Sequence, residues 1–381
     1  MARVVIIAGL ASSLVNFRGP LLEALREAGH EVHAIAPAGD DNTLAWLRTR
    51  AITFTSIDLA RSSLSPAADI KVFMQLRSAL AAIRPDVVIT YTIKPVIYGT
   101  LAAALSGVKR RYALITGLGY AFTNGERSLK RQLVNIIASK LYRLALKRVQ
   151  VVLFQNPDDR QAFEQAGILA PVTRTVVVNG SGVDTDFFSP KPLPVVPHFL
   201  MIARLVADKG IGEYIAAARI VRTGNSDASF HLVGPLDPNP AAFDITALEQ
   251  AVAKGDIIYH GEMADVRPAI ADCSVFVLPS YREGTPRSVL EAMAMARPIV
   301  TSDAPGCRET VEHGKNGYLV PIKDVGGLAE AMARLASNPE LRQIMGRASY
   351  ALALSKYQAR DVAHSILLAC DLLDEQAGVA S

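Results

Sequence analysis

The chain has 381 residues, of which half are hydrophobic and a fifth are charged. This length suits two domains of roughly 100–200 residues each, and the composition excludes an intrinsically disordered chain. The three cysteines form no Cys/His cluster, which argues against a disulfide framework and a zinc module and favours the reducing cytoplasm. The first apolar run, Val4–Leu10, is too short for a signal peptide, and no apolar window is long enough to span a membrane.

The charge is uneven along the chain. Residues 1–190 carry 22 Lys+Arg and 14 Asp+Glu, a net charge of +8, whereas residues 191–381 carry 18 and 22, a net charge of −4. A basic first half suggests an anionic partner. No recognisable nucleic-acid motif accompanies it, so the sequence argues against nucleic-acid binding.

Short β-branched runs alternate with amphipathic segments through the first half. A helix is predicted over Pro20–Ala28, because Pro20 suits a first helical turn and Gly29 suits a helix end. This alternation predicts a parallel sheet with helices on both faces. The predicted strands are Arg3–Gly9, Glu31–Ala36, Ile52–Asp58, Asp86–Tyr91, Arg111–Gly117, Val149–Asn156 and Thr173–Asn179.

Four prolines within residues 189–197 interrupt this pattern and predict a linker. We therefore predict an α/β fold with two doubly wound Rossmann-like domains, residues 1–190 and 191–364, facing a cleft, and a helix in residues 365–381 that packs back on the first domain. Ligands of open α/β sheets bind at the carboxyl ends of the strands. In the second half the predicted strands are His198–Leu205, Ser229–Gly234, Asp256–Gly261, Ser274–Ser280, Pro298–Asp303 and Gly317–Pro321.

The segment from Leu278 to Glu291 carries most of the chemical information. Glu283 falls in a loop after a predicted buried strand, with Thr285 as a helix N-cap and Pro286 as the first helical residue. Glu291 then lies two turns into the helix, so that a substrate along the helix start could touch both glutamates. The free N–H groups there would suit a diphosphate, although the same spacing also fits a solvated surface helix.

Cations follow two other predicted strands. Arg204 ends one strand, and Lys209 with Gly210 opens the next helix, where two positive charges could neutralise a departing diphosphate. After the first strand, Arg18 and Gly19 lie in a long loop that could approach phosphate or acceptor. That loop is not G-x-G-x-x-G, so the dinucleotide fingerprint is missing.

Several alternative chemistries lack support in the sequence. Asp184-Thr-Asp186 is literally D-x-D but falls just before the proline segment, which argues against a metal role. The seven histidines are scattered, and no cluster has metal-ligand spacing. No nucleophile motif of the G-x-S-x-G type is present either.

In combination these pieces resemble the retaining glycosyltransferases of family 4, which have the GT-B fold. The resemblance covers essentially the whole chain, and the order and spacing of its pieces make it specific. The matching pieces are Ala203–Leu205 with Lys209 and Gly210, Leu232–Gly234, Glu283–Glu291, Thr301–Glu309 and Gly314–Gly317.

The resemblance implies roles for matching positions. The catalytic residues would be Glu283, Lys209 and Arg204. Glu283 would contact the donor sugar near its reacting carbon, while Lys209 and Arg204 would hold the diphosphate. The second domain would thus bind a nucleotide sugar, expected to be UDP-linked, and would need no metal ion or other cofactor. The further donor contacts would be Glu291 (on the ribose), Gly284, Thr285, Gly234 and Gly19.

Two segments, Thr90–Gly99 and Ile115–Phe122, resemble a narrower branch that transfers N-acetylhexosamine to undecaprenyl-diphosphate-linked sugars. This resemblance implies that the first domain faces the acceptor through Arg18, Lys94 and Tyr120. Val96 stands where that branch often has Asn. The implied activity is transfer of a hexose or N-acetylhexosamine to a polyprenyl-diphosphate-linked sugar in bacterial polysaccharide or glycan assembly.

The segment from Glu126 to Gln150 has seven Lys+Arg against one acidic residue, with apolar residues at helical spacing. Such a helix could lie on anionic lipid through Lys130 and Arg131, which would place the protein peripherally at the inner face of the cytoplasmic membrane. The alternative is a core-packed helix with a solvated charged face. The apolar positions are Leu129, Leu133, Ile136, Ile137, Leu141 and Leu144.

Two other functions fit the same two-domain pattern. A UDP-sugar epimerase would act on the nucleotide sugar without any acceptor. A non-catalytic sugar-nucleotide-binding protein would bind without turnover, although the presence of both glutamates and both cations argues against a degenerate site. Incubation with UDP-sugar alone separates these alternatives from a transferase.

Overall fold

The computed structural model describes residues 1–60, 65–117, 129–237 and 242–373, except for the side chains of residues 129–131 and 133. The chain divides into two compact units. Unit 1 comprises residues 1–181 and 360–381, and unit 2 comprises residues 182–359. These limits differ from the predicted boundaries after residues 190 and 364.

The proline segment lies within unit 2 because two buried arginines hold it there. Arg297 donates a hydrogen bond to the Pro192 carbonyl at 3.1 Å, and Arg342 donates one to the Val195 carbonyl at 2.6 Å. Neither arginine is more than 1% exposed. The segment that the sequence predicts to be a linker is thus part of the packing of the second unit.

Unit 1 is built on a parallel sheet. Among its described residues, seven strands form the sheet, with the first strand beside the fourth and the order reversing between them. The strands are β1 (Arg3–Ile7), β2 (Glu31–Ala36), β3 (Thr53–Ser56), β4 (Val87–Tyr91), β5 (Arg110–Ile115), β6 (Val151–Phe154) and β7 (Arg174–Val177), in the order β3-β2-β1-β4-β5-β6-β7. The helices are α1 (Ser12–Asn16), α2 (Gly19–Glu27), α3 (Asp41–Thr49), α4 (Pro66–Ile83), α5 (Thr100–Leu105), α6 (Leu129–Leu146) and α7 (Pro157–Gln165), with a π-helical turn at Pro95–Gly99.

Unit 2 repeats this plan with six described strands. They are β8 (His198–Ile202), β9 (Ser229–Val233), β10 (Ile258–Tyr259), β11 (Val275–Leu278), β12 (Ile299–Ser302) and β13 (Gly317–Val320), in the order β10-β9-β8-β11-β12-β13. The helices are α8 (Ile211–Gly224), α9 (Ile245–Ala253), α10 (Arg267–Asp272), α11 (Arg287–Ala294), α12 (Val325–Ala336) and α13 (Pro339–Lys356), with short 3₁₀ turns at Ala207–Lys209 and Arg308–Thr310. Every described strand falls within a predicted one or within one residue of it, and the predicted α/β class is confirmed.

The last described helix, α14 (Ala359–Ala369), belongs to unit 1. Its residues Val362, Ile366 and Leu367 are buried in the same apolar cluster as Val4 and Ile6 of strand β1. The side chain of Leu368 on the opposite face is 45% exposed. The core of unit 1 therefore combines residues from both ends of the described chain.

Sequence-local caps explain where many of the helices begin. Asp40, Asn156 and Asp324 each stand just before a helix in extended backbone, and each side chain accepts a hydrogen bond from a backbone N–H of the first turn. Such caps satisfy N–H groups that the helix itself leaves without partners. They fix the starts of α3, α7 and α12.

Candidate active site

The carboxyl ends of β8 and β11 define the candidate site in unit 2. These strands are parallel neighbours, and the strand order of the sheet reverses between them. Such a reversal opens a crevice beyond the carboxyl ends of the two strands, where α/β sheets bind their ligands. Glu283 lies in the loop that follows β11, as the sequence predicts. Lys209, predicted to open the next helix, instead ends the 3₁₀ turn that follows β8, two residues before α8 begins.

Lys209 and Glu283 form an ion pair at this edge. The Lys209 Nζ atom lies 2.6 Å from Glu283 Oε1, and both side chains are 15% exposed. A pair this sheltered interacts more strongly than a surface pair, because less water screens it. The structure thus brings together two of the three residues that the sequence analysis assigns to catalysis.

Backbone contacts hold the two loops against each other. The Tyr281 N–H donates to the Asp208 carbonyl at 2.8 Å, which links the residue before Lys209 to the Glu283 loop. Gly210 has φ +77°, and a Cβ atom at this position would collide with the Pro279 carbonyl. Only glycine accommodates both this left-handed backbone and this close approach.

A third loop, which follows β12, supports Glu283 from behind. The Glu283 N–H donates to the Pro305 carbonyl at 2.9 Å. Gly306, with φ +80°, packs against the Glu283 carbonyl so closely that a Cβ atom would clash. The matching piece Thr301–Glu309 therefore has a structural function, since it fixes the backbone of Glu283.

A side-chain clamp that the sequence analysis missed joins the same loops. The Tyr281 hydroxyl donates to Glu213 Oε1 at 2.6 Å, in the first turn of α8. Burial, together with the carboxylate of Glu213, raises the pKa of Tyr281, so that this phenol stays protonated as a donor. Lys323 Nζ lies 5.0 Å from the centre of the Tyr281 ring. No motif spacing connects residues 213, 281 and 323.

Glu291 lies on helix α11 and is 8% exposed. Its Oε1 atom accepts a hydrogen bond from Arg287 Nε at 2.7 Å, one helical turn earlier. Burial raises the pKa of Glu291, and the charge and hydrogen bond of Arg287 act in the opposite direction. Arg287 was not among the predicted site residues, although its four-residue spacing from Glu291 on a predicted helix is a signal that indicates it.

The helix start differs by one residue from the prediction. Pro286, rather than Thr285, is the N-cap, and Arg287 is the first helical residue. The reason is that Pro286 has ψ 108°, an extended backbone that cannot belong to the helix. Gly284 and Thr285 remain in the loop at the helix N-terminus, and their predicted contacts to donor remain predictions.

Arg204, the third predicted catalytic residue, has a different partner. Its Nη1 atom lies 2.7 Å from Asp237 Oδ2, and its side chain is 57% exposed. Gly234 packs against the carbonyl of Ala203, the residue before Arg204, so a side chain at position 234 would displace this loop. The structure therefore connects Gly234 to Arg204, but records no contact of Arg204 with Lys209 or Glu283 among the described residues.

In unit 1, Arg18 lies at the corresponding edge of the sheet. It is 3% exposed, and its guanidinium carbon is 5.2 Å from the centre of the Tyr91 ring at the end of β4. Burial raises the pKa of Tyr91 to about 12, and its hydroxyl shares a 2.8 Å hydrogen bond with Ser13. Gly19 begins α2 and packs against Trp46. The predicted acceptor and donor roles of Arg18 and Gly19 remain predictions.

Lys94 lies in a sheltered polar cluster beside the π-helical turn. Its Nζ atom is 2.7 Å from Asp69 Oδ1, and the Tyr98 hydroxyl donates to Asp69 Oδ2 at 2.8 Å. Both side chains of the ion pair are less than a fifth exposed. Val96, the position where the resembled branch often has Asn, is buried in an apolar cluster. Tyr120, the third predicted acceptor-side residue, lies outside the described residues.

Helix α6 exposes both apolar and basic side chains to solvent. Ile136, Ile137 and Leu144, which the sequence analysis placed in an apolar stripe, are 47–53% exposed. The side chains of Lys140 and Lys147 are also exposed on this helix and just beyond it. Among the side chains of α6 that the structure describes, the buried ones are instead Ala138, Tyr142, Ala145 and Leu146. The side chains of Lys130 and Arg131 lie outside the described ones, and their membrane contact remains a prediction.

Among the described residues, no group of three or more His, Cys, Asp or Glu side chains could hold a metal ion. Asp184 of the D-x-D sequence instead caps a turn, since its Oδ1 accepts hydrogen bonds from the N–H groups of Asp186 and Phe187 at 3.0 Å each. Metal-independent activity remains a prediction.

None of the described helices is both long enough and apolar enough to cross a bilayer.

Two family models of glycosyltransferases match the two halves of the chain. Residues 196–338 match the family model described as glycosyl transferases group 1, and residues 17–180 match a glycosyl transferase 4-like domain. The match to the first model spans both the Lys209 and the Glu283 loops. The two models together cover most of units 1 and 2.

Two curated relatives align over most of their length. One is the Campylobacter jejuni N,N'-diacetylbacillosaminyl-diphospho-undecaprenol alpha-1,3-N-acetylgalactosaminyltransferase, 30% identical over 87% of this chain and 88% of its own. Another is an Escherichia coli UDP-Gal:alpha-D-GlcNAc-diphosphoundecaprenol alpha-1,3-galactosyltransferase, 26% identical over 72% of each chain. A solved sucrose-phosphate synthase from Thermosynechococcus elongatus has the same fold, with a TM-score of 0.79 and 17% identity over all of both chains.

Proposed function

The chain belongs to the group 1 glycosyltransferases, and from this membership we propose that it transfers a hexose or N-acetylhexosamine from a UDP-sugar to a polyprenyl-diphosphate-linked sugar. The substrate class comes from the relatives, two of which act on undecaprenol-linked sugars by name. The observation that carries the proposal is the sheltered Lys209–Glu283 pair where the order of the second sheet reverses. The proposed transfer reaction would serve bacterial polysaccharide or glycan assembly.

Each donor-side residue has a distinct task in this proposal. The carboxylate of Glu283 meets the donor sugar, and the ammonium of Lys209 bridges Glu283 and the diphosphate. Arg204 and the positive end of the α11 helix dipole support the diphosphate as negative charge builds on it. With these groups in place, no metal ion is required for charge neutralisation.

Retention of anomeric configuration follows from the same arrangement. The bond between the anomeric carbon and the diphosphate oxygen breaks through an oxocarbenium-like state, and the departing oxygen takes the acceptor proton on the same face of the sugar. The diphosphate thereby acts as the base, so no protein side chain has to fill that role. The proton moves from the acceptor hydroxyl to the leaving diphosphate, and one new glycosidic bond replaces the old one.

The test uses the full chain. A panel of UDP-sugars is first screened by ligand-induced thermal shift, and the stabilising sugars are then offered with polyprenyl-diphosphate-linked sugar acceptors. We expect transfer that depends on the acceptor, and a product with retained configuration by NMR. Conversion of UDP-sugar without acceptor would favour the epimerase, and binding without any turnover would favour the non-catalytic protein.

We further propose that the exposed face of α6 contacts an anionic membrane surface, where a lipid-linked acceptor resides. Exposed Ile136, Ile137 and Leu144 would enter the headgroup boundary, while Lys140 and Lys147 would meet lipid phosphates. Each such cation contributes about 1 kcal/mol near an anionic surface.

This surface is tested by charge reversal. The Lys140→Glu, Lys147→Glu double variant should lose most of its co-sedimentation with phosphatidylglycerol vesicles. The control is Lys254→Glu, Arg347→Glu, which makes the same charge change at exposed positions of unit 2. Full co-sedimentation of the α6 variant would remove this helix from the membrane contact.

A further inference from the structure

Helix α11 begins with a residue that helix stability alone does not favour. Arg287 is the first helical residue, and the first turn contains no acidic side chain. The partial positive charge of a helix N-terminus disfavours a cation there, and an ion pair four residues apart is better with the acid first. In α11 the basic residue, Arg287, precedes the acidic residue, Glu291. The Arg287–Glu291 pair therefore needs a reason beyond the stability of the helix.

Burial of Glu291 supplies that reason. The side chain of Glu291 is 10% exposed and that of Arg287 is 30% exposed. A carboxyl group in such surroundings favours its neutral form unless a cation compensates. Among the described titratable groups, Arg287 is the one whose charge acts on Glu291, and it lowers a pKa that burial raises.

The geometry leaves part of Glu291 available. Arg287 Nε donates to Oε1 at 2.7 Å, and no hydrogen bond from a described residue reaches Oε2. The helix itself is fixed, because Ser288 Oγ donates to the Ile202 carbonyl at 3.0 Å, at the end of β8. One oxygen is thus oriented by arginine, while the other can accept hydrogen bonds from the hydroxyl groups of a ligand.

We propose that Arg287 is a positioning residue for nucleotide binding, which keeps Glu291 ionised and oriented so that its carboxylate accepts hydrogen bonds from the ribose hydroxyls. This inference rests on the proposed function, which assigns the nucleotide sugar to unit 2. Arginine suits the task because its planar guanidinium holds its charge and direction at a partly buried site. Arg287 acts on the ribose through Glu291 and needs no contact with the reacting atoms.

The experiment measures the affinity of the full chain for UDP and for 2′,3′-dideoxy-UDP by calorimetry between pH 5 and pH 8. With Arg287→Met, burial is no longer opposed, so the pKa of Glu291 rises and UDP affinity is lost at a higher pH than in the wild type. At neutral pH we expect UDP to bind about tenfold more weakly, because the Glu291 carboxylate is no longer held in place to accept hydrogen bonds from the ribose hydroxyls. The dideoxy nucleotide, which lacks the hydroxyls, should change by less than about twofold.

Matched variants separate positioning from general damage. Arg287→Lys keeps the charge and should restore part of the affinity and of the pH profile. Adding Arg287→Met to Glu291→Gln should cause little further loss, because the residue acts through Glu291. The control is Arg219→Met, which removes another arginine of unit 2 whose Nε lies 2.7 Å from a carboxylate, that of Asp256.

Two results would overturn the inference. If both Arg287 variants bound UDP as tightly as the wild type and lost affinity at the same low pH, the inference would be refuted. The proposed function would remain intact. A wild-type chain that binds no UDP at any pH would refute the choice of nucleotide in the proposed function, and this inference with it.

Discussion

Lys209 carries its charge where the donor diphosphate is proposed to leave. Its ammonium contacts Glu283 at 2.6 Å, and both groups are held by loops that pack on each other through backbone contacts. The pair is preorganised, which is the condition under which electrostatic stabilisation of a leaving group is effective. Removing one member should therefore affect turnover far more than folding.

The Lys209→Ala variant should lower the turnover of transfer by about 100-fold or more, because a fixed group that stabilises developing charge is typically worth that much. Steady-state transfer assays measure it. Lys315→Ala is the control, since Lys315 forms an exposed pair with Glu312 at the same Nζ–Oε distance, 2.6 Å. If Lys209→Ala kept turnover within threefold of the wild type, Lys209 would not belong to the catalytic machinery.

At the scale of single elements, strand β9 carries a histidine whose surroundings disfavour protonation. Burial first, and then the charges of His260 and His198, lower the pKa of His231 to about 4. Its Nδ1 atom shares a 2.9 Å hydrogen bond with His260 Nε2, and that bond requires one of the two nitrogens to keep its lone pair.

Unit 2 should therefore lose stability as the pH falls from about 6.5 towards about 4, since the unfolded chain binds a proton there that the folded chain does not. Hydrogen exchange of peptides from β9 measures this loss. His231→Gln should flatten the pH dependence of the stability of unit 2, whereas His364→Gln on the exposed face of α14 should leave that dependence unchanged. An identical pH dependence in His231→Gln would show that another group controls the acid response.

Elements also show where sequence reasoning succeeds and where it stops. The strands were predictable because a buried parallel strand is a local run of β-branched residues between turn residues. The exposed face of α6 was not, because its exposure depends on which neighbours cover the helix. Likewise, no spacing rule reveals that Gly306 supports Glu283, since these residues meet only through loops of two different strands.

At the scale of the whole molecule, α14 contributes to a core that begins with β1. Leu367 is 1% exposed in that cluster, whereas its neighbour Leu368 is 45% exposed. Leu367→Ala should lower the free energy of unfolding of unit 1 by about 2–5 kcal/mol, because it leaves a cavity in a packed core.

Leu368→Ala is the matched control and should change that free energy by no more than about 0.5 kcal/mol. Denaturant titration gives the values, and hydrogen exchange in residues 3–7 assigns the loss to unit 1. Equal effects of the two substitutions would show that α14 does not belong to this core.

The discontinuous first unit has a consequence for the order in which the protein can be made. Domains usually fold as they leave the ribosome, with the N-terminal one first. In this chain residues 182–359 emerge as one continuous stretch, whereas residues 1–181 wait for 362–372 to complete their core. The second unit can therefore finish folding before the first, and the apolar surface that residues 362–372 cover stays exposed until those residues have been synthesised.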